Sequence, residues 1–271
     1  MSGYAVSDCF SAPLRHRTLL RQFTRREVLG RYRGSVLGLG WSFLTPLAML
    51  AVYTFVFVGV FRARWPGAEE AGGLAFALRL FAGLMVFQFF SEVVARAPTL
   101  VTAQPNLVKK VAFPLEILPV VALGAALFHF ALSGAILLGA TLAFEQRLPA
   151  TALLAPLAIL PLLPLLLGLG WLLAALGVFV RDIATIVGVA TSLLLFLSPV
   201  FYALESLAPR WQFWMRLNPL TPAIGDLRRT VFLGLPPDWA VWWAWLGVGL
   251  VAAAAGAWVF ARTRQGFADV L

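Results

Sequence analysis

Two histidines (His16 and His129), a single cysteine (Cys9) and twelve scattered carboxylates are all this sequence offers to metal, acid–base or nucleophilic chemistry. They do not fall at the short spacings of a metal site, and no pair of acids flanks a nucleophile. The two lysines, Lys109 and Lys110, follow no glycine-rich turn, so the G-x-x-x-x-G-K-[ST] phosphate loop is missing. What remains able to do chemistry is clustered positive charge. Arg15, Arg17, Arg21, Arg25, Arg26, Arg31 and Arg33 crowd one segment, 11–35. Such a segment attracts anionic lipid and equally offers a surface to a partner protein.

A second chemical feature is the stretch 96–116. Pro98, Pro105 and Pro114 forbid one long helix through it. The spacing predicts a short helix after Pro98, a break at Pro105 and then a basic, apolar-flanked piece carrying Lys109 and Lys110. Its TLVTAQPNLV is too apolar for a plain solvated loop and suggests contact with another protein.

The elements that must position these residues follow from composition. Of 271 residues, 61% are hydrophobic and 12% charged, with a mean hydropathy of +0.88. A soluble domain carries roughly 25% charged residues, so a water-soluble globule is excluded. One cysteine excludes a disulfide scaffold, and the apolar fraction argues against reading the +9 net charge as nucleic-acid binding. A crossing helix needs about 20 apolar residues. Runs of that kind lie at 36–61, 72–95, 117–144, 148–180, 183–204 and 239–261, giving an all-α polytopic membrane protein with six spans. The N-terminal segment 1–35 is expected as an interface helix on the inner surface, opened by Pro13 at a first-turn position. The arginines ahead of the first span place both termini in the cytoplasm, and no apolar run precedes them that would read as a cleaved signal. The prolines of 148–180 point to a break in the fourth span.

Within the spans, Arg79 and Glu92 are expected at opposite ends of one helix, since 13 residues cover about 20 Å. Glu92 and Arg96 have the i,i+4 spacing of a helical ion pair, and His129 reads as a packed, hydrogen-bonded residue. The glycines Gly30, Gly34, Gly38 and Gly40 suggest close helix packing. The outer segment 205–238 is too charged to span yet rich in Trp211, Phe213 and Trp214. It reads as two short helices that dip into the outer leaflet or as an interfacial aromatic belt.

Four stretches together resemble the ABC-2 type polysaccharide-export permeases. RREVLGRYRGSVLGLGWSFLTPLAMLAVYTFVFVGVF (25–61) is similar to that family's interface helix and first span. NLVKKVAFPLEILP (106–119) resembles its coupling segment, and FVRDI (179–183), with Arg181 and Asp182, its cytoplasmic turn. LSPVFYALESLAPRWQFWMRLNPLTPAIGDLRRTVFLG (197–234) resembles its outer segment with two re-entrant helices, which would carry Trp211, Trp214, Arg216, Asn218 and Pro219. Among its subfamilies the resemblance is nearest to the lipopolysaccharide O-antigen exporters. It implies a homodimer in the bacterial inner membrane, two ABC ATPase subunits that bind ATP and Mg²⁺, and an undecaprenyl-diphosphate-linked polysaccharide as substrate. No cofactor is expected on this chain.

The resemblance also assigns residues. Coupling to the ATPase falls on Pro98, Thr99, Gln104, Pro105, Asn106, Leu107, Lys109 and Lys110. Arg25, Arg26, Arg31 and Arg33 would meet the diphosphate, for which the planar guanidinium fork is suited. Tyr53, Phe57, Phe196, Phe201 and Tyr202 are candidates to line the channel. The alternatives are a capsule, teichoic-acid or small hydrophobic cargo, a membrane enzyme acting on polyprenyl-linked sugars, and a passive pore.

Overall fold

The computed structural model describes residues 6–61, 65, 72–108 and 113–271. Among these, every regular element is helical. The main helices are α1 (Val6–Arg15), α2 (Arg17–Gly30), α3 (Trp41–Tyr53), α4 (Gly72–Arg96), α5 (Ile117–Glu145), α6 (Leu162–Phe179), α7 (Ile183–Phe196), α8 (Pro209–Arg216), α9 (Leu220–Arg228) and α10 (Trp239–Thr263). Five stretches are long and apolar enough to cross a membrane, the first being Gly38–Val60 and the fourth Ala150–Phe179.

Helix α4 is the axis of the bundle. Of its most apolar stretch, 78% is buried within the chain, against 0% for the most apolar stretch of Gly38–Val60. Phe81, Val86, Phe89 and Val93 of α4 form a core with Leu137 of α5, Leu166 of α6 and Ile224 of α9. A second core closes the end where both chain termini lie. There Cys9 packs with Trp171, Ala257, Phe260 and Phe267, and the Trp171 indole donates to the Glu116 carbonyl at 3.0 Å. Glu116, 2% exposed, forms an ion pair with Arg264. Burial pushes the Cys9 thiol up to about 11, which makes it a packing residue rather than a nucleophile.

Helices α6 and α10 approach to backbone contact. A Cβ on Gly256 would lie 2.0 Å from the Gly168 carbonyl oxygen, so glycine is what permits that crossing. Of the glycines expected to do this, Gly30, Gly34 and Gly38 have nothing within 4 Å of a would-be Cβ, and Gly40 meets only Leu37 Cβ at 3.7 Å. Gly30 ends α2, while Gly34 and Gly38 are turn residues with φ of +84° and +50° between α2 and α3, a region that favours glycine.

Other boundaries also differ. Pro13 does not open the N-terminal helix but sits inside α1, two residues before its end, and the interface segment is two helices broken at His16. The fourth stretch is interrupted between the short turn Ala155–Ala158 and α6, at Pro161. The segment 183–204 is helical only as far as Phe196, 14 residues or about 21 Å. It stops ahead of Ser198-Pro199 because the residue before a proline is pushed out of the helical region. The segment 205–238 contains two short helices, α8 and α9.

Arg228 fastens this end of the bundle. Its guanidinium donates to the carbonyls of Pro199 at 2.7 Å, Val200 at 2.8 Å and Arg79 at 3.0 Å, and lies 4.4 Å over the Trp65 ring. The chain break after α7 thus has its carbonyls satisfied by a cation from α9. Arg79 itself pairs with Glu145 at 3.0 Å; it is 7% exposed and stands two turns inside α4, so it is held by a partner within the chain and does not mark the helix end.

Candidate functional site: a basic vestibule and an inner chamber

The turn 31–37 redirects the chain from α2, lying across the termini-bearing end, into α3. That redirection sets Arg31 and Arg33 beside Arg26, facing the last turns of α4. Between them opens a vestibule of about 1160 Å³ lined by Arg26, Arg31 and Arg33 together with Arg96, Gln88 and Glu92. Arg25, on the other side of α2, is exposed and does not line it. Arg96 joins instead and pairs with Glu27.

Glu92 is bound differently from its sequence spacing. The expected Glu92–Arg96 pair does not form, because Arg96 turns to Glu27 on α2. Glu92 Oε1 is taken by Arg31 Nη1 and by His129 Nδ1, each at 2.8 Å. A proton on Nδ1 is assigned from this geometry, since a carboxylate only accepts. His129 Nε2 then accepts from the Tyr32 hydroxyl at 3.4 Å. The histidine is packed and hydrogen-bonded, as expected, but it is not alone: it ties α5 to α4 and to the turn before α3. The sequence places Glu92 and His129 in separate spans with no local pattern linking them; two ionisable residues in apolar spans are the signal that points to a mutual partner.

Arg31, Gln88 and Glu92 also form one wall of a second cavity of about 350 Å³ between α3, α4 and α5. Its other walls carry Trp41, Ser42, Thr45, Tyr53 and Ser133. The vestibule and this inner chamber are therefore adjoining.

Four of the five aromatics expected along a channel make one series of rings. Tyr53 and Phe57 stand 6.4 Å apart, Phe57 and Phe201 6.2 Å, and Phe201 and Phe196 5.9 Å. Tyr202 turns away, its hydroxyl donating to the Phe196 carbonyl at 3.2 Å. The series connects α3 to the chain break after α7.

At the termini-bearing end, Pro98, Thr99 and Arg181 share the wall of a cavity of about 330 Å³. Pro98 is buried while Thr99, Pro105, Asn106, Arg181 and Asp182 are exposed, and Gln104 and Leu107 are half-buried. The segment 97–108 and the turn 179–183 are thus neighbours, held by α6, where a Cβ on Gly177 would lie 2.0 Å from the Pro98 carbonyl oxygen. Lys109 and Lys110 lie outside the described residues.

In the outer segment, Trp211, Trp214 and Arg216 are exposed on α8. Buried Asn218 joins the two helices: its amide donates to the Leu197 carbonyl and to Ser198 Oγ, and its Oδ1 accepts from the Leu220 N–H. Pro219 directly precedes α9.

The chain is 30% identical to the O-antigen export system permease protein RfbA of Myxococcus xanthus, over 94% of this chain and 95% of that one. Two proteins of the same description from Klebsiella pneumoniae are 23% and 22% identical, each over 93% of this chain and 95% of its counterpart. Residues 18–232, from α2 to the turn that follows α9, match the ABC-2 type transporter family. By that match the chain is a membrane-spanning subunit of a transporter and belongs to the ABC-2 type transporter family.

Proposed function

We propose that this chain is the permease subunit of an ATP-driven exporter that moves undecaprenyl-diphosphate-linked O-antigen polysaccharide across the bacterial inner membrane. The observation that carries the reading is the arginine-lined vestibule. Arg26, Arg31, Arg33 and Arg96 converge on one opening beside a membrane-embedded chamber, and guanidinium groups suit a diphosphate. The permeases it resembles over nearly its whole length carry O-antigen export in their names. With both termini in the cytoplasm, the vestibule faces the side where the lipid-linked polymer is made. Ile183–Phe196, continued through the chain to Leu204, serves as a sixth, shortened crossing. The helices α8 and α9 sit in the outer leaflet as re-entrant elements.

The stretch Gly38–Val60, whose most apolar part has no buried residue, favours a second copy of this chain against it, with the aromatic series from Tyr53 to Phe196 facing the passage. The surface formed by Thr99, residues 104–108 and the Arg181–Asp182 turn, seated on buried Pro98, meets the ATPase subunit, which supplies the ATP and Mg²⁺ site. Deleting the gene and locating its lipid-linked polysaccharide tests the whole reading. Finished polymer accumulating on the cytoplasmic side, with surface O-antigen lost and restored by the intact gene, is the expected result. Normal surface glycan with no internal build-up overturns it.

A further inference from the structure

The inner chamber contains a feature that the entrance reading leaves unexplained. Ser42 is 5% exposed and lines the chamber, and its hydroxyl has neither a hydrogen-bond partner nor accessible surface of its own, so it meets an occupant only after a χ1 rotation. Other hydroxyls in the spans turn back on their own helix: Thr54 donates to the Leu50 carbonyl, Thr141 to Leu137, Thr191 to Val187 and Thr263 to Val259. Ser42 stands in the first turn of α3, and the carbonyl four residues back, on Gly38, already accepts the Trp41 N–H. A buried hydroxyl without a partner costs about 1–3 kcal/mol. A filled chamber removes that penalty if its occupant is polar.

We propose that the inner chamber is a binding subsite for the sugar ring attached directly to the diphosphate, an inference that rests on the vestibule being the diphosphate entrance. Trp41 and Tyr53 supply ring faces for the apolar side of a pyranose. Ser42, Thr45, Gln88 and Ser133 supply hydroxyl and amide groups for its hydroxyls. The volume of about 350 Å³ stands at the lower end of the roughly 300–1,000 Å³ of small-ligand pockets, suited to a ring rather than a polymer. A polyprenyl chain in the same place would leave Ser42 unsatisfied. Position argues the same way. Arg31, Gln88 and Glu92 line both cavities, so a diphosphate held in the vestibule delivers the sugar bonded to it across that shared wall. The subsite lies within one protomer, between α3, α4 and α5, and reads the glycan's lipid end.

The test compares two synthetic lipids on the purified full-length permease with its ATPase: undecaprenyl diphosphate, and the same lipid bearing one N-acetylhexosamine. The wild type is expected to bind the glycosylated lipid roughly tenfold more tightly, the effect of one or two hydrogen bonds. Ser42→Ala with Thr45→Val is expected to erase that preference while affinity for the bare lipid stays where it was. Ser133→Ala gives a second reading where the double variant does not purify as a folded complex. If the wild type shows no preference, or the variants keep it, while Arg26→Ala with Arg33→Ala weakens both lipids, the sugar subsite is overturned and the entrance reading stands. Equal loss of both lipids in the Ser42 variant also overturns it, assigning the chamber to the lipid. If neither lipid depends on the arginines, the entrance reading falls, and the subsite with it.

Discussion

The Glu92 carboxylate meets the Arg31 guanidinium at 2.8 Å on the wall shared by vestibule and chamber, although the two residues lie 61 positions apart. Glu92 therefore occupies, from within the chain, a cation that the vestibule presents to incoming anions. A diphosphate entering there competes with Glu92 for Arg31. Glu92→Gln removes the competitor and is expected to tighten binding of undecaprenyl diphosphate. The gain is limited to about fivefold, because Arg31 is half open to solvent and such pairs are worth about 1 kcal/mol or less. Export by the same variant should slow, since a substrate held more tightly at the entrance leaves it more slowly. Equilibrium binding and whole-cell export measured together check this, and weaker binding in Glu92→Gln would refute the competition.

The arginines of the N-terminal segment do not all serve one purpose. Arg26 and Arg33 line the vestibule, whereas Arg25 projects from the far side of α2. Arg26→Ala with Arg33→Ala should weaken binding of the lipid diphosphate roughly tenfold, the loss of charge-assisted contacts discounted for their exposure. Arg25→Ala should change it less than about twofold. An Arg25 effect equal to that of the pair would show that general surface charge, not the vestibule, attracts the substrate.

Much of this architecture is legible in the sequence because lipid imposes a simple length rule, and five of six apolar runs became crossing-length helices. The sixth stops at Phe196, where a Ser-Pro break relies on Arg228, far along the chain, to satisfy its carbonyls. No local pattern announces such a partner. Glycines taught a related lesson. The spacing of Gly30, Gly34 and Gly38 suggested packing, yet backbone contact is made by Gly168 and Gly256, while Gly34 and Gly38 supply turn conformations. The arginine cluster is readable in the sequence, but which of its members line the vestibule is not, because helix rotation turns Arg25 away and Arg96 joins. Glu92 was paired by spacing with Arg96, although both found tertiary partners instead.

Gly177 tests whether the coupling segment needs its seat on α6. A Cβ there would lie 2.0 Å from the Pro98 carbonyl oxygen and 2.8 Å from its Cα. Both are backbone atoms that no rotamer change can move. Gly177→Ala should therefore displace the 97–99 turn and cost about 1–3 kcal/mol. It is expected to lower the thermal midpoint of the purified permease and to reduce recovery of ATPase with it. Gly188→Ala, with nothing within 4 Å, is the matched control and should leave both unchanged. A normal ATPase yield in Gly177→Ala would separate the coupling surface from this contact.

Asp226 gives the outer segment a dependence on pH. Its carboxylate is 4% exposed and accepts the Asp238 N–H at 2.9 Å, joining α9 to the start of α10. Burial pushes its pKa from 3.8 up to about 6, against the hydrogen bond from Asp238 and the charge of Arg229, which lower it, while the Asp238 charge raises it. The folded state thus holds its proton more tightly than the unfolded state does. Folding stability from this group is fully present below the unfolded value and is lost as pH rises through about 6. Asp226→Asn cannot ionise, and its side-chain oxygen still accepts from Asp238. The thermal midpoint of the variant, minus that of the wild type, should therefore increase between pH 5 and pH 7. Taking the difference removes the contributions of other titrating groups common to both proteins. A difference that stays flat, or falls, over that range would mean that Asp226 is already ionised in the folded protein. The link from α9 to α10 would then be a charge-assisted one, strengthened rather than weakened at neutral pH.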